Sequence, residues 1–482
     1  MSGGRSASVL PGPGRAAGRT GAWAPGRSGA RAAVAAWAPL VPALATVLLL
    51  CAPVGGGAVP GGGSAVPGGG TPADVASAVL VVCGVLGLLR RGARPLGRTA
   101  ALVLGAPVVG LALATVTSTD PAASLTGLVR QLQLFVLVPA ALLLTLRGAR
   151  DFRVVAGALV LLALVQGALG VHQYLTATGA SYMGQNVRAV GTFGPLDVMG
   201  MATVVGYGLM AALGLGLAPA PDAPRWQRPA ALGCAAVLVV PLAVSFSRGA
   251  WIATAVATGS VLLLAGLRPA VRTLAVLVAL AVVLVGGAGV GSALLGERVA
   301  SIGAVSDAPD RSVTDRYALW AAAAGMWRDR PLTGVGLKEF PAHRDGHASL
   351  GLSSGGDTAG AGVAFRREPL LSPHNMYLLA LSEQGLVGAT ALVGSWAALL
   401  VRGLRRLVRA RRGRPAGCTG DGCPADRAVD CGLIAVGLLV WQAVDFVSSD
   451  IGGPSTVLVA VVFGLVGWWA LAPGGSAKAA ER

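Results

Sequence analysis

Long apolar runs recur along the whole chain, and this feature limits the possible folds more than any other. A helix needs about 20 apolar residues to cross the hydrocarbon of a bilayer. Twelve segments reach or approach that length, at 32–52, 74–89, 98–117, 125–146, 154–175, 195–217, 229–246, 249–267, 271–295, 375–401, 430–447 and 454–472. Only 12% of the residues are charged, against roughly 25% in soluble domains. We therefore predict an all-α polytopic membrane protein with about 12 transmembrane helices.

Lys and Arg residues are distributed unevenly between the two sides of this predicted bundle. When both termini are placed in the cytoplasm, 26 of the 38 lie in the tails and in the loops on the cytoplasmic side. Cytoplasmic loops are rich in Lys and Arg, whereas long translocated loops escape this rule. The net charge of +17 therefore indicates topology and not a nucleic-acid partner. We predict a multi-pass protein of the cell membrane with both termini cytoplasmic.

The spans and charges together predict the organisation of the chain. In order, it comprises a disordered basic cytoplasmic tail (1–31), transmembrane helices 1 to 9 (32–295), an extracytoplasmic loop domain (296–370), transmembrane helix 10 (371–401), a basic cytoplasmic loop (402–429), transmembrane helices 11 and 12 (430–472) and a cytoplasmic tail (473–482). Within the outer loop, helical spacing predicts a helix from Arg316 to Trp327 that ends before Pro331.

Two arginines on the predicted outer side are candidate phosphate ligands. Arg248, in Ser247-Arg248-Gly249, lies at the junction of two spans, and Arg316 shares one helix face with Trp320. A guanidinium group is a planar, permanently charged fork that matches phosphate oxygens. The structural alternatives are a snorkelling anchor for Arg248 and an ordinary surface charge for Arg316.

A third motif, Ser372-Pro373-His374-Asn375, opens the tenth predicted span on its outer side. Histidine is the side chain best matched to proton transfer near neutral pH, so His374 is a candidate general base. The alternative is a capping or interfacial histidine. Glu383 follows within the span, where an ionisable residue is a functional candidate by default.

These motifs, in this order, resemble the O-antigen ligase family and its related polymerases. The resemblance covers about residues 125–400, and it rests on Ser247-Arg248-Gly249, Arg316 with Trp320, Pro331-x-x-Gly334-x-Gly336, His374-Asn375 and Glu383-x-Gly385-x-x-Gly388. Upstream, Arg188-Ala-Val-Gly191-Thr-Phe-Gly194-Pro195 is similar to the first outer-loop signature of the family, although Asp197 stands near the position where the family usually has Asn.

The resemblance implies a helical membrane glycosyltransferase of GT-C-like architecture with its active site on the outer face. Arg248 and Arg316 would bind the pyrophosphate of an undecaprenyl-linked glycan, and His374 would activate or position the acceptor hydroxyl. The predicted substrate-binding set is Arg248, Arg316, Ser247, Arg188 and Asn375. Ligases transfer a finished chain to a lipid, protein or wall acceptor, and polymerases transfer the growing chain to another lipid-linked unit. The motifs are shared by both.

The chemistry available outside the membrane agrees with this interpretation. Nucleotide sugars are absent there, so the donor must carry its own leaving group, as a lipid pyrophosphate does. The sequence has no Asp-x-Asp motif, and its four histidines have no metal-ligand spacing, so we predict no metal and no other cofactor. The predicted partners are a lipid-linked oligosaccharide donor, a glycan, lipid or protein acceptor, and membrane lipid, without nucleic acid. A small-anion transporter and a non-catalytic scaffold for envelope assembly are the alternatives.

Overall fold

The computed structural model describes residues 37–53, 71–91, 96–182, 185–266, 271, 272, 275, 311–348, 356–360, 366–368, 371–412 and 428–472. The elements belong to one compact unit that begins at Pro39. The helices are α1 (Val41–Leu48), α2 (Pro72–Arg91), α3 (Arg98–Val116), α4 (Pro121–Leu132), α5 (Val138–Thr145), α6 (Ala149–Leu175), α7 (Gly200–Leu217), α8 (Gln227–Val237), α9 (Val239–Val244), α10 (Arg248–Ala265), α11 (Arg311–Asp329), α12 (Phe340–His347), α13 (Met376–Arg412), α14 (Val429–Asp445) and α15 (Val457–Leu471).

Nine helical segments among the described residues are long and apolar enough to cross a membrane. They coincide with nine of the twelve predicted spans, so the prediction of a multi-pass helical membrane protein is confirmed. The predicted spans 32–52 and 430–447 correspond to shorter helices, Val41–Cys51 and α14. The predicted span 271–295 falls almost entirely outside the described residues.

Two helices form the centre of the bundle. In α7 and in the segment Pro454–Leu471 that contains α15, 89% of the apolar window is buried, against 28–50% in the other candidate spans. Both sequences are apolar on every face, and an all-round apolar helix is stable only when other helices surround it or lipid does. The more exposed helices, such as α2 and α10, therefore form the outer ring that would face lipid.

The two ends of the bundle differ in chemistry. At one end Arg153, at the start of α6, forms an ion pair with Asp430, at the start of α14. At the same end the guanidinium of Arg406 donates to the carbonyls of Trp469 and Ala472, and α13 continues to Arg412, beyond the predicted boundary at 401. We refer to this as the basic end. The opposite end, which we call the motif end, carries the starts of α10 and α13 and the end of α14.

A small antiparallel sheet lies on the motif-end side and was not included in the all-α prediction. Its strands are β1 (Ala180–Tyr182), β2 (Gln185–Arg188), β3 (Gly356–Gly360) and β4 (Arg366–Glu368), in the order β2-β1-β3-β4. The sheet joins the segment after α6 to the predicted outer loop. Outside the hydrocarbon, backbone groups can pair between short segments, whereas within it only helices and closed barrels satisfy them.

The segment 330–339, between α11 and α12, locks the outer loop onto the bundle. Helix α13 breaks at Gly385, which has φ 62° and ψ −169°. The freed N–H groups of Leu386 and Val387 donate to the carbonyls of Pro331 (2.8 Å) and Leu332 (3.2 Å). In return, the N–H groups after Gly334 donate across the break: Val335 to the Ser382 carbonyl at 2.9 Å, and Gly336 to the Glu383 carbonyl at 3.1 Å.

The glycines of these two motifs are explained by this interlock. A Cβ on Gly334 would overlap the backbone of Glu383, and a Cβ on Gly385 would overlap the backbone of Leu332. The Glu383 carboxylate accepts the N–H of Phe340 at 3.2 Å, so this intramembrane acid anchors the loop. The motifs around Gly334 and Gly385 thus form one structural joint that fixes the end of α11 against α13.

Candidate functional site

The first site element is the start of α10, at the motif Ser247-Arg248-Gly249. Ser247 is the N-cap, and its hydroxyl accepts the N–H of Ala250 at 3.2 Å while the residue is only 2% exposed. Capping satisfies a backbone donor at the helix start and gives Ser247 a structural role. Arg248 is the first helical residue and is half-buried. A Cβ on Gly249 would overlap the Ser448 hydroxyl, so α10 begins directly against residues 446–450.

Residues 446–450, which we call the 446–450 turn, also hold the start of α13. The N–H of Met376 donates to the carbonyls of Phe446 and Ser449, both at 2.9 Å. The Asn375 amide donates to the Val447 carbonyl at 3.0 Å, while its oxygen caps α13 by accepting two backbone N–H groups. Asn375 therefore uses its amide to hold the helix start in place, next to the candidate base.

His374 is held in an unusual backbone conformation at the centre of these contacts. Its φ is 48°, in the left-handed region that a histidine adopts only at a cost of about 1–3 kcal/mol. The residue before it, Pro373, accepts a hydrogen bond of 2.9 Å from the Trp320 indole of α11. The Trp320 contact and the 446–450 turn thus fix the backbone of His374 from two sides.

Two charged groups, Asp450 and Arg316, act on the buried His374 imidazole. Burial lowers the pKa of His374 below its ordinary value of 6.5; the Asp450 carboxylate opposes this effect and the Arg316 guanidinium adds to it. A lowered pKa keeps the imidazole neutral at neutral pH, so its free nitrogen can accept a proton. The predicted partners Arg316 and His374, which are 58 positions apart in the chain, are therefore brought together.

Two aspartates of the site were missed in the sequence analysis. Asp445 ends α14 and accepts a hydrogen bond of 2.5 Å from the Ser449 hydroxyl. Asp450 closes the 446–450 turn, and its Oδ2 atom is buried without a hydrogen-bond partner among the residues that the structure describes. Two acids flanking Ser448 and Ser449 at the outer edge of a predicted span were a signal that could have identified this segment.

The remaining predicted residue, Arg188, lies at the end of β2, where its backbone pairs with Ala180. The following residues are tied to α6, because the Gln173 side chain bonds the N–H groups of Val190 and Gly191 and the Gly191 carbonyl. Arg188 is thus placed on the motif-end side in the small sheet. The side chain of Arg188 lies outside the described part of the structure, and its predicted role in substrate binding stays a prediction.

Comparison with known proteins identifies this region. The model of the O-antigen ligase family matches residues 233–393, a third of the chain, from α8 into α13. The matched region contains Ser247, Arg248, Arg316, His374 and Asn375, and it ends before the 446–450 turn. A search of curated proteins found no match. Both arginines and the histidine therefore lie in the part of the chain that is similar to the O-antigen ligase family.

Proposed function

We propose that this protein is a membrane glycosyltransferase that moves a glycan from an undecaprenyl-pyrophosphate-linked donor to an extracytoplasmic acceptor. The match of residues 233–393 to the O-antigen ligase family supports a glycosyltransferase-like role in polysaccharide assembly. We further propose the identity of the donor, the location of the acceptor, the roles of the site residues and a GT-C-like architecture.

One observation carries the proposal: the fold gathers Arg316, His374 and the start of α10 around the 446–450 turn. A pyrophosphate leaving group gains negative charge as its bond to the sugar breaks. Fixed guanidinium groups stabilise that charge more in the transition state than in the ground state. A neutral histidine beside Arg316 supplies the proton acceptor that a hydroxyl nucleophile requires.

The chemical step follows from these roles. The acceptor hydroxyl attacks the anomeric carbon of the donor, and the bond between this carbon and the pyrophosphate oxygen breaks. His374 takes the hydroxyl proton, while Arg248 and Arg316 hold the departing undecaprenyl pyrophosphate. The buried Oδ2 of Asp450 has no described partner and would accept a hydrogen bond from a sugar hydroxyl. A single displacement inverts the anomeric configuration. We expect no metal ion in this step, because the arginines neutralise the leaving group.

The orientation of the bundle is the second part of the proposal. Several arginines bind helix ends at the basic end, which is the end of the bundle opposite the motif end. They include Arg153, Arg406 and Arg411. Cytoplasmic segments are rich in arginine, so the basic end would face the cytoplasm and His374 would face the outside. Donor lipids could then enter from the outer leaflet.

Anion transport, the alternative from sequence, is less compatible with the helix break in α13. Transporters coordinate their cargo with the backbone groups freed where a helix is interrupted. At Gly385 the segment 331–336 takes part in hydrogen bonds with these groups on both sides of the break. The break therefore serves as a joint between the loop and the bundle.

The test is a transfer assay with purified full-length protein in lipid nanodiscs. The donor is an undecaprenyl-pyrophosphate-linked oligosaccharide, and lipid-linked glycan and glycolipid acceptors are offered separately in excess chelator. We expect an elongated product together with released undecaprenyl pyrophosphate, and we expect Arg248→Ala to lose most of this activity. Arg402→Ala is the matched control, because Arg402 is exposed near the basic end of α13. Equal activity of the two variants, or no product with any acceptor, would contradict the proposal.

A further inference from the structure

An aromatic pair, Tyr317 and Trp320, lies beside Arg316 in α11. Tyr317, the residue after Arg316, is 51% exposed, whereas Leu319, Ala322 and Ala323 on the same helix are almost completely buried. The ring of Tyr317 packs edge-on against Trp320, with centroids 5.5 Å apart and an interplanar angle of 78°. A large exposed aromatic ring with a fixed neighbour offers a flat apolar surface.

The position of this pair relative to the reacting groups is fixed by the helix and by one hydrogen bond. At about 100° per residue, Arg316 and Tyr317 lie on either side of Trp320, so the three share one face of α11. The Trp320 indole donates to the Pro373 carbonyl at 2.9 Å, and Pro373 precedes His374. The aromatic pair is therefore anchored to the candidate base and adjoins the candidate phosphate ligand.

A sugar ring is the ligand whose chemistry fits this arrangement. Pyranose rings present a face of C–H bonds and an edge of hydroxyls, and the negative face of an aromatic ring attracts the slightly positive C–H groups. In a lipid-linked donor, the first sugar is joined directly to the pyrophosphate. If Arg316 binds the pyrophosphate, this sugar must lie next to Arg316, where Tyr317 is exposed.

We propose that Tyr317, supported by Trp320, stacks against the sugar that is attached to the donor pyrophosphate and so selects donors by the shape of that sugar. The inference rests on the proposed function and adds a glycan subsite to it. A sugar whose C–H face is free of axial hydroxyls stacks well, and one with an axial hydroxyl on that face does not.

The test compares two probes that differ only in the sugar. Undecaprenyl pyrophosphate, and the same lipid carrying N-acetylglucosamine, are titrated against the full-length protein in nanodiscs. Tyr317→Ala should weaken binding of the sugar-bearing lipid about fivefold to tenfold and leave binding of undecaprenyl pyrophosphate unchanged. Tyr317→Phe and Tyr317→Trp keep the ring and should bind both probes as the wild type does. Leu332→Ala, which trims another exposed apolar side chain of the outer loop, is the control and should also match the wild type.

The other outcomes separate the inference from the proposed function. Unchanged binding of both probes to Tyr317→Ala would make Tyr317 an interfacial aromatic residue and overturn the subsite. Equal weakening of both probes would mean that Tyr317 acts by placing Arg316, and this also overturns it. If the wild type binds neither probe, the proposed function fails, and the subsite fails with it.

Discussion

Replacement of Gly385 by alanine tests whether the joint between the outer loop and α13 holds the site together. Gly385 has φ 62° and ψ −169°, a region that is nearly exclusive to glycine and costs other residues about 1–3 kcal/mol. The added Cβ would also overlap the backbone of Leu332 and Thr333. Moving that backbone away breaks the hydrogen bonds from Leu386 and Val387, each worth about 1 kcal/mol. The expected loss of unfolding free energy is therefore about 3–5 kcal/mol.

The assay is unfolding of the purified protein in mixed micelles with increasing denaturing detergent, followed by tryptophan fluorescence. Gly394→Ala is the control on the same helix, because no heavy atom lies within 4 Å of the position of its Cβ. It should be neutral or stabilising, since alanine favours helix more than glycine does by about 1 kcal/mol. Donor transfer should fall only in Gly385→Ala, because the displaced 331–336 segment follows α11, which carries Arg316. Similar unfolding curves for the two variants would refute this account of the interlock.

Three further predictions concern the base, its electrostatic partner and the topology. His374→Ala should lower turnover by about 10²–10⁴-fold with donor binding retained, and near-normal turnover in His374→Gln would show that the residue acts as a hydrogen-bonding group and not as a base. Transfer should fall as the pH drops through the pKa of His374, which lies below 6.5, because only the neutral ring accepts a proton. Asp450→Asn removes the carboxylate that raises this pKa, so the acidic limb of the pH–rate profile should move to lower pH; a move to higher pH would contradict the assignment. In a background without the native cysteines, Asp345→Cys in the outer loop should react with an impermeant thiol reagent added to intact cells, and Arg412→Cys should not; the reverse pattern would invert the proposed orientation.

The candidate site was predicted from sequence where its residues belong to local motifs. Ser247 and Arg248 follow one another at a helix start, and His374 follows a proline at another, so short patterns were sufficient to locate them. The same patterns predict substrate binding for Asn375, which stays a prediction, and the structure adds that its side-chain amide caps α13 and bonds the Val447 carbonyl. A motif identifies which side chains belong to a site, and the packing decides whether each is used for chemistry or for support.

Asp445 and Asp450 show the limit of the motif approach. They lie 71 and 76 positions after His374 in the chain, and hydrogen bonds from Asn375 and Met376 to the 446–450 turn bring them beside it. Similarly, Gln384 donates to Gln131 at 2.8 Å within the bundle, a pairing between distant helices. Neither association leaves a periodic signal in the sequence, because each depends on which helices become neighbours.

The sequence by itself determined the membrane character, the positions of most spans and the uneven distribution of arginine. These are local properties, since the free energy of placing a helix in lipid depends on the length and polarity of that segment alone. Only the tertiary structure decided that segment 331–336 fills the break at Gly385, and that the 446–450 turn joins the starts of α10 and α13. Within lipid there is no hydrophobic driving force that favours one apolar helix over another as a neighbour. Close contacts and interhelical hydrogen bonds, such as those at Gly249 and Asn375, set the arrangement instead.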